Sequence, residues 1–185
     1  LYDFDRSLRN ILLSYIIEVE NILRSLISYE FSKVHGHDNY LKFNNFETLT
    51  TLKNTNIPNA DKLIEERACK IQQLIAELQQ DLAIATEKSQ YIKHYVVKYG
   101  FVPLWVLINS ITLGRLSKFF NLMNQSERIA VSKKWNIKEE DLRQYIKILA
   151  RYRNLCAHDE RVYNFNTDKI SISDTHYHSR LNIPI

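Results

Sequence analysis

Apolar residues recur at helical spacing near the start of the chain: Leu8, Leu12, Ile16, Val19, Leu23 and Leu26. The spacing predicts a helix over 6–34 with one face turned inward. Asp5 stands where a helix cap belongs, and Gly36 where a helix ends. Over 37–58 the pattern fades into Asn and Thr. A loop with one short helix near 46–53 is expected there, closed by Pro58.

A second periodic stretch follows. Ile64, Ala68, Ile71, Ile75, Leu78, Leu82 and Ala85 alternate in steps of four and three, and Ser89, Ile92, Val96 and Tyr99 continue the rhythm. This is the a/d seam of a coiled-coil contact. It predicts a long helical arm over 59–99, which can break near 86–89. Two partners fit the seam: the first helix of the same chain or a second copy.

Gly100 ends the arm, and Pro103 suits the first turn of the next helix, expected to run to about Met123. A shorter helix is expected over 126–135. A last core helix starts near Glu139, where Glu139, Glu140 and Asp141 complement the helix dipole and Leu142, Ile146 and Leu149 face inward. In the tail over 165–185, "KISIS" alternates like a short strand. The reading is all-α: one helical bundle over 1–185.

Composition removes several function classes. The chain of 185 residues holds three glycines, Gly36, Gly100 and Gly114. Neither a dinucleotide fingerprint nor a P-loop can be written with them. Two cysteines, Cys69 and Cys156, make neither a disulfide framework nor a multi-cysteine zinc site, so a reduced, cytoplasmic setting is expected. The longest uncharged run, 99–114, has sixteen residues and falls short of a membrane span. It reads as a buried core helix, and no membrane partner is expected.

Charge is unevenly spread. Residues 1–87 carry nine Lys/Arg against thirteen Asp/Glu, and residues 88–185 carry sixteen against eight. The basic half suits an anionic partner, with nucleic acid foremost. A solvated surface with chance segregation is the plainer alternative.

The stretch "RYRNLCAHDERVYN" gathers Arg151, Arg153, Arg161, Asn154, Asn164 and His158 at the end of the last core helix. On an ideal helix Arg151, Asn154 and His158 fall within about 60° of one another, while Arg153 points about 140° away from His158. Histidine titrates near neutrality and transfers protons. Arginine stays charged and grips phosphate oxygens in pairs. Together they suit cleavage of RNA through its own 2′-hydroxyl, a reaction that needs no metal. The alternative is a helix C-terminus whose cations simply meet the dipole.

"RNLCAH" fits the Arg-x4-His signature of the HEPN superfamily. "LYDFDRSLRNILLSYIIEVENILRSLISYEF", "YIKHYVVKYGFVPLWVLINSITLGRLSKFF" and "YRNLCAHDERVYN" resemble, in this order, the abortive-infection AbiD/AbiF-like family of bacterial phage-defence proteins. The resemblance implies a helical domain that cuts RNA without cofactor or metal, at a composite site shared by two copies. Carried onto this chain, it assigns Arg153, Asn154 and His158 to catalysis. Arg151, Arg161, Tyr163 and Asn164 are assigned to holding RNA. Arg151 also fits a looser Arg-x6-His spacing, so two arginines compete for the principal role. Where relatives carry a second histidine this chain has Asp159, an anion beside the site. The family carries a segment ahead of "LYDFDR", and with Leu1 in place of Met that segment is expected to be missing here. A toxin-like enzyme also implies restraint by an RNA or protein antitoxin. The rival from another class is a non-catalytic RNA-binding or sensor module, which would not need His158.

Other groups carry weaker signals. Glu20 and Arg24 sit at i,i+4 and suit a structural pair, or support for the catalytic arginine from a neighbouring helix. His35 with His37, and His176 with His178, are spaced like metal ligands but lack a completing acidic or cysteine cluster. Cys156 near His158 suits packing better than a nucleophile dyad. Tyr91, Tyr95 and Tyr99 stand near Lys93 and Lys98, placed either to stack bases or to line the core.

Overall fold

The computed structural model describes residues 1–54, 57–167 and 174–182. Among them the chain is all-α, in eight α-helices and three short 3₁₀ turns. The "KISIS" strand expectation falls outside the described residues.

The first helix, α1, spans Tyr2–His35. It starts four residues earlier than its apolar rhythm predicts, because Asp5 is not its cap: Asp5 lies buried inside the first turns, paired with Arg9. Gly36 ends it as expected, with φ +84 and its N–H on the Ser32 carbonyl. Of the predicted stripe Ile16 and Leu23 are buried and Leu8, Leu12, Val19 and Leu26 half-buried, while Ile27 and Phe31, outside it, complete the inward face. Two charged pairs interrupt that stripe, Asp5–Arg9 and Glu20–Arg24.

Two 3₁₀ turns, Phe43–Asn45 and Thr50–Asn54, replace the single short helix expected near 46–53. Phe46 separates them, buried against Phe31 and Phe119.

The long arm is two helices, α2 (Ala60–Lys88) and α3 (Gln90–Tyr99). The break falls at Ser89, whose hydroxyl caps α3 through the Ile92 amide. The seam is the buried face: Ile71, Ile75, Leu78, Ala85 and Ile92 lie in the core. Its main partners are neither the first helix nor an outside surface. The seam packs within the chain, against α5 and the two 3₁₀ turns.

The helix expected from Pro103 to Met123 is also two, α4 (Leu104–Leu107) and α5 (Leu113–Leu122), so the run 99–114 is not one core helix. The cause is a partner far away in sequence. The Arg24 guanidinium donates to the carbonyls of Ile108 and of Ile111, the latter at 2.7 Å. Thr112 then caps α5 through the Arg115 amide.

Helix α6 (Gln125–Ser132) and its 3₁₀ turn Lys133–Trp135 match expectation. So does α7 (Glu139–Ala157), with Leu142 and Ile146 buried and Leu149 half-buried. Glu139 does more than meet the helix dipole. It is buried and accepts from Arg128 at 2.8 Å and Arg143 at 2.9 Å. In the tail, α8 (His176–Leu181) docks through Tyr177 onto the Trp135 carbonyl at 2.8 Å. Helix α7 packs between α1 and α5, which fixes the position of its C-terminal end.

Candidate functional site

His158 is the residue that closes α7, its backbone N–H bonded to the Asn154 carbonyl at 3.0 Å. The helical face predicted for Arg151, Asn154 and His158 is therefore real up to the helix end. All three side chains are exposed and, among the described residues, have no side-chain partner.

Arg153 lies on another flank and is only half-buried. Its Nε stands 4.0 Å from Oε2 of Glu20 on α1. The other Glu20 oxygen carries Arg24. The Glu20–Arg24 pair is buried and not on the helix surface: Arg24 braces the α4–α5 turn, and Glu20 also faces Arg153. The buried Arg153 Nε has no hydrogen bond, so the contact is one of charge alone.

Beyond His158 the chain turns sharply at Asp159, with φ 56. Asp159 does not stand as a free anion beside the site; it pairs with Arg9 of α1 at 3.2 Å. Arg9 also donates to the Glu160 carbonyl at 3.4 Å. Asp5 takes the next segment, accepting from the amides of Val162 and Tyr163 at 3.0 Å each. Burial pushes the Asp5 carboxyl up, but the amides of Tyr163 and Val162 and the charge of Arg9 outweigh it and hold the group below the usual carboxylate range. The pair fastens the segment after the signature onto α1.

Asp5 and Arg9 are the residues that sequence reasoning missed. The signal is there: two opposite charges at i,i+4 beside an apolar stripe mark a pair that can be buried together.

Arg161, Tyr163 and Asn164 follow on this fastened segment and are exposed. Cys156 is buried beside Leu155 and Val162 against Leu8 and Leu12, and burial pushes its thiol up. It packs and is not poised as a nucleophile.

The remaining candidates lie elsewhere. His35 is committed to Glu127 at 2.6 Å, and His37 sits among the rings of Phe101 and Trp105. His178 is taken up in the capping box of α8 with Thr175. Tyr91 meets Tyr95 edge to face and Tyr95 meets Tyr99 at a tilt, with ring centroids 5.2 Å and 5.6 Å apart. Tyr91 and Tyr99 are exposed, while Tyr95 is half-buried and packs against the core. Among the described residues no helix is long and apolar enough to cross a membrane.

A family model described as Abi-like protein matches residues 1–164. No curated protein and no solved structure matches the chain.

Proposed function

Because the chain belongs to the Abi-like protein family, an abortive-infection family, we propose that it acts in phage defence as a metal-independent endoribonuclease. The observation that carries the reading is the end of α7. It presents an exposed imidazole with Arg151 and Asn154 on the same face, and holds Arg153 on a buried carboxylate.

In the proposed reaction a base takes the proton of the ribose 2′-hydroxyl. The 2′-oxygen attacks phosphorus, the bond from phosphorus to the 5′-oxygen breaks, and that oxygen takes up a proton. The products are a 2′,3′-cyclic phosphate and a free 5′-hydroxyl. His158 performs one of the two proton transfers. Arg153 stabilises the negative charge that builds on the phosphoryl oxygens. Asn154 positions the imidazole or the phosphate.

Arg153 and His158 diverge around the helix, which supports a site assembled from two copies. The outer face of α1 supports the same arrangement. Phe4, Ile11, Tyr15, Ile22 and Tyr29 are all exposed and fall within about 40° of one line along the helix. An apolar stripe of that length is self-complementary across a two-fold axis, and α1 packs beside α7.

The test is RNA cleavage by purified protein in EDTA, with wild type beside His158→Ala and Arg153→Ala. Cleavage by wild type alone, leaving cyclic phosphate ends, is the expected outcome. Equal cleavage by the His158 variant overturns the assignment, and RNA binding without cleavage by any variant favours a sensor module.

A further inference from the structure

A cleft lies away from the signature, between α2, α5 and α7. It has a volume of about 910 Å³ and is lined by Arg67, Lys70, Lys118, Arg143 and Lys147, with no acidic side chain among its lining residues. Three of the cations have partners outside it. Arg67 pairs with Glu47, Lys118 with Glu77 and Arg143 with Glu139. Lys70 and Lys147 are exposed and have no partner among the described residues.

The same cleft holds polar atoms that folding leaves unpaired. Oδ1 of Asn121, Oε1 of Gln144 and Nε of Arg143 are all buried without a hydrogen bond. These atoms are closed off from solvent, so a strand in the cleft meets them only where the side chains turn outward. Burial first, and then the neighbouring charges of Arg128 and Arg143, hold Arg67 below its ordinary value against the pull of Glu47. The two unpaired lysines leave the cleft with an excess of positive charge.

A ligand that answers the free lysines carries anionic oxygens spaced along the cleft. A nucleic acid strand has them in its phosphates. Geometry then joins the cleft to the signature. On α7, Arg143, Lys147, Ala150, Asn154 and His158 fall within about 80° of one another, and Lys147 lies about 16 Å along the axis from His158. The cleft and the exposed imidazole share one face of one helix.

We propose that this cleft is the track for an RNA strand, seating the phosphates that flank the one delivered to His158. The inference rests on the ribonuclease reading above for the identity of the strand.

The test separates the two. Fluorescence anisotropy of a labelled single-stranded oligoribonucleotide is measured against salt in a His158→Ala background, where nothing is cut. Lys70→Glu/Lys147→Glu is compared with Lys134→Glu, an exposed lysine outside the cleft. The expected result is at least tenfold weaker binding for the cleft variant, with the salt slope shallower by about 0.7 for each phosphate no longer neutralised. The Lys134 variant should stay within about twofold, as for a charge outside the track. Unchanged affinity and slope in the cleft variant overturn the track, whatever His158 does. AMP binding in the cleft while the oligomer does not bind also overturns it, leaving a mononucleotide pocket. Wild type that binds through the cleft but never cuts removes the ribonuclease reading and keeps the track.

Discussion

The carboxylate of Glu20 on α1 stands 4.0 Å from the Nε of Arg153 on α7. The same buried carboxylate holds Arg24, so one anion ties the structural arginine of the α4–α5 turn to the arginine of the signature. Arg153 is in this way a placed charge, whereas Arg151 is an exposed one.

Under the proposed mechanism that difference gives the two arginines different roles. Arg153→Ala should remove RNA cleavage, while Arg151→Ala should cost only a few-fold in KM, since a solvated cation adds binding more than orientation. Glu20→Gln keeps a hydrogen-bond acceptor for Arg24 and removes the charge that faces Arg153. It should lower kcat by about tenfold to a hundredfold, the usual scale for a misplaced group, with KM nearly unchanged. A drop in melting temperature with kcat intact would mean that Glu20 only braces the fold.

Arg24 carries a heavier structural duty. Its guanidinium is buried and serves Glu20 and two backbone carbonyls. Arg24→Ala leaves a buried carboxylate uncompensated and those carbonyls unpaired, a loss of about 3–5 kcal/mol. Urea unfolding measures it. A loss below about 1 kcal/mol, the range of an exposed pair, would show that the turn stands without Arg24.

The hold of Asp5 on the segment after His158 should depend on pH. The carboxyl titrates below its ordinary value in the folded chain. The folded state therefore prefers the charged form more strongly than the unfolded state does. Its stabilisation is complete above the unfolded aspartate range, near pH ~4, and disappears as pH falls through the lowered value. Asp5→Asn should be less stable than wild type at neutral pH, and the two urea midpoints should converge in acid below about pH 4. A constant gap across that range would remove the carboxylate from the account.

These long-range contacts also mark where the sequence stops being legible. The core stripe of Leu142 and Ile146 and the seam through Ile71 and Leu78 follow from local spacing. The break between α4 and α5 does not. The run 99–114 has no Gly or Pro near Ile108, and the group that ends the helix is Arg24, 84 residues earlier. Asp5 is misread for the same reason. A cap and a buried anchor look alike until Val162, 157 residues away, is placed. The Arg153–Glu20 approach lies between: its residues stand out in the sequence, and only the packing of α1 on α7 brings them together.

Two apolar stripes remain to be told apart, and charge insertion does it. Leu78 is fully buried within the chain, so Leu78→Glu should unfold the protein and not merely dissociate it, since even Leu→Ala at such a site costs about 2–5 kcal/mol. Ile11 and Tyr15 on α1 are exposed at 57% and 64%, and no other element among the described residues covers them. Ile11→Glu/Tyr15→Glu should keep the helical signal and the urea midpoint, while light scattering reports a monomer and RNA cleavage falls with it. Complementation then asks whether the two copies share a site. Arg153→Ala and His158→Ala are each inactive under the proposed mechanism. If Arg153 of one copy serves His158 of the other, half of the dimers in an equimolar mixture are mixed and each has one intact site. Activity should return to about a quarter of wild type after subunit exchange. No recovery from a mixture shown to exchange would place both groups in one protomer, and the outer face of α1 would then need another role.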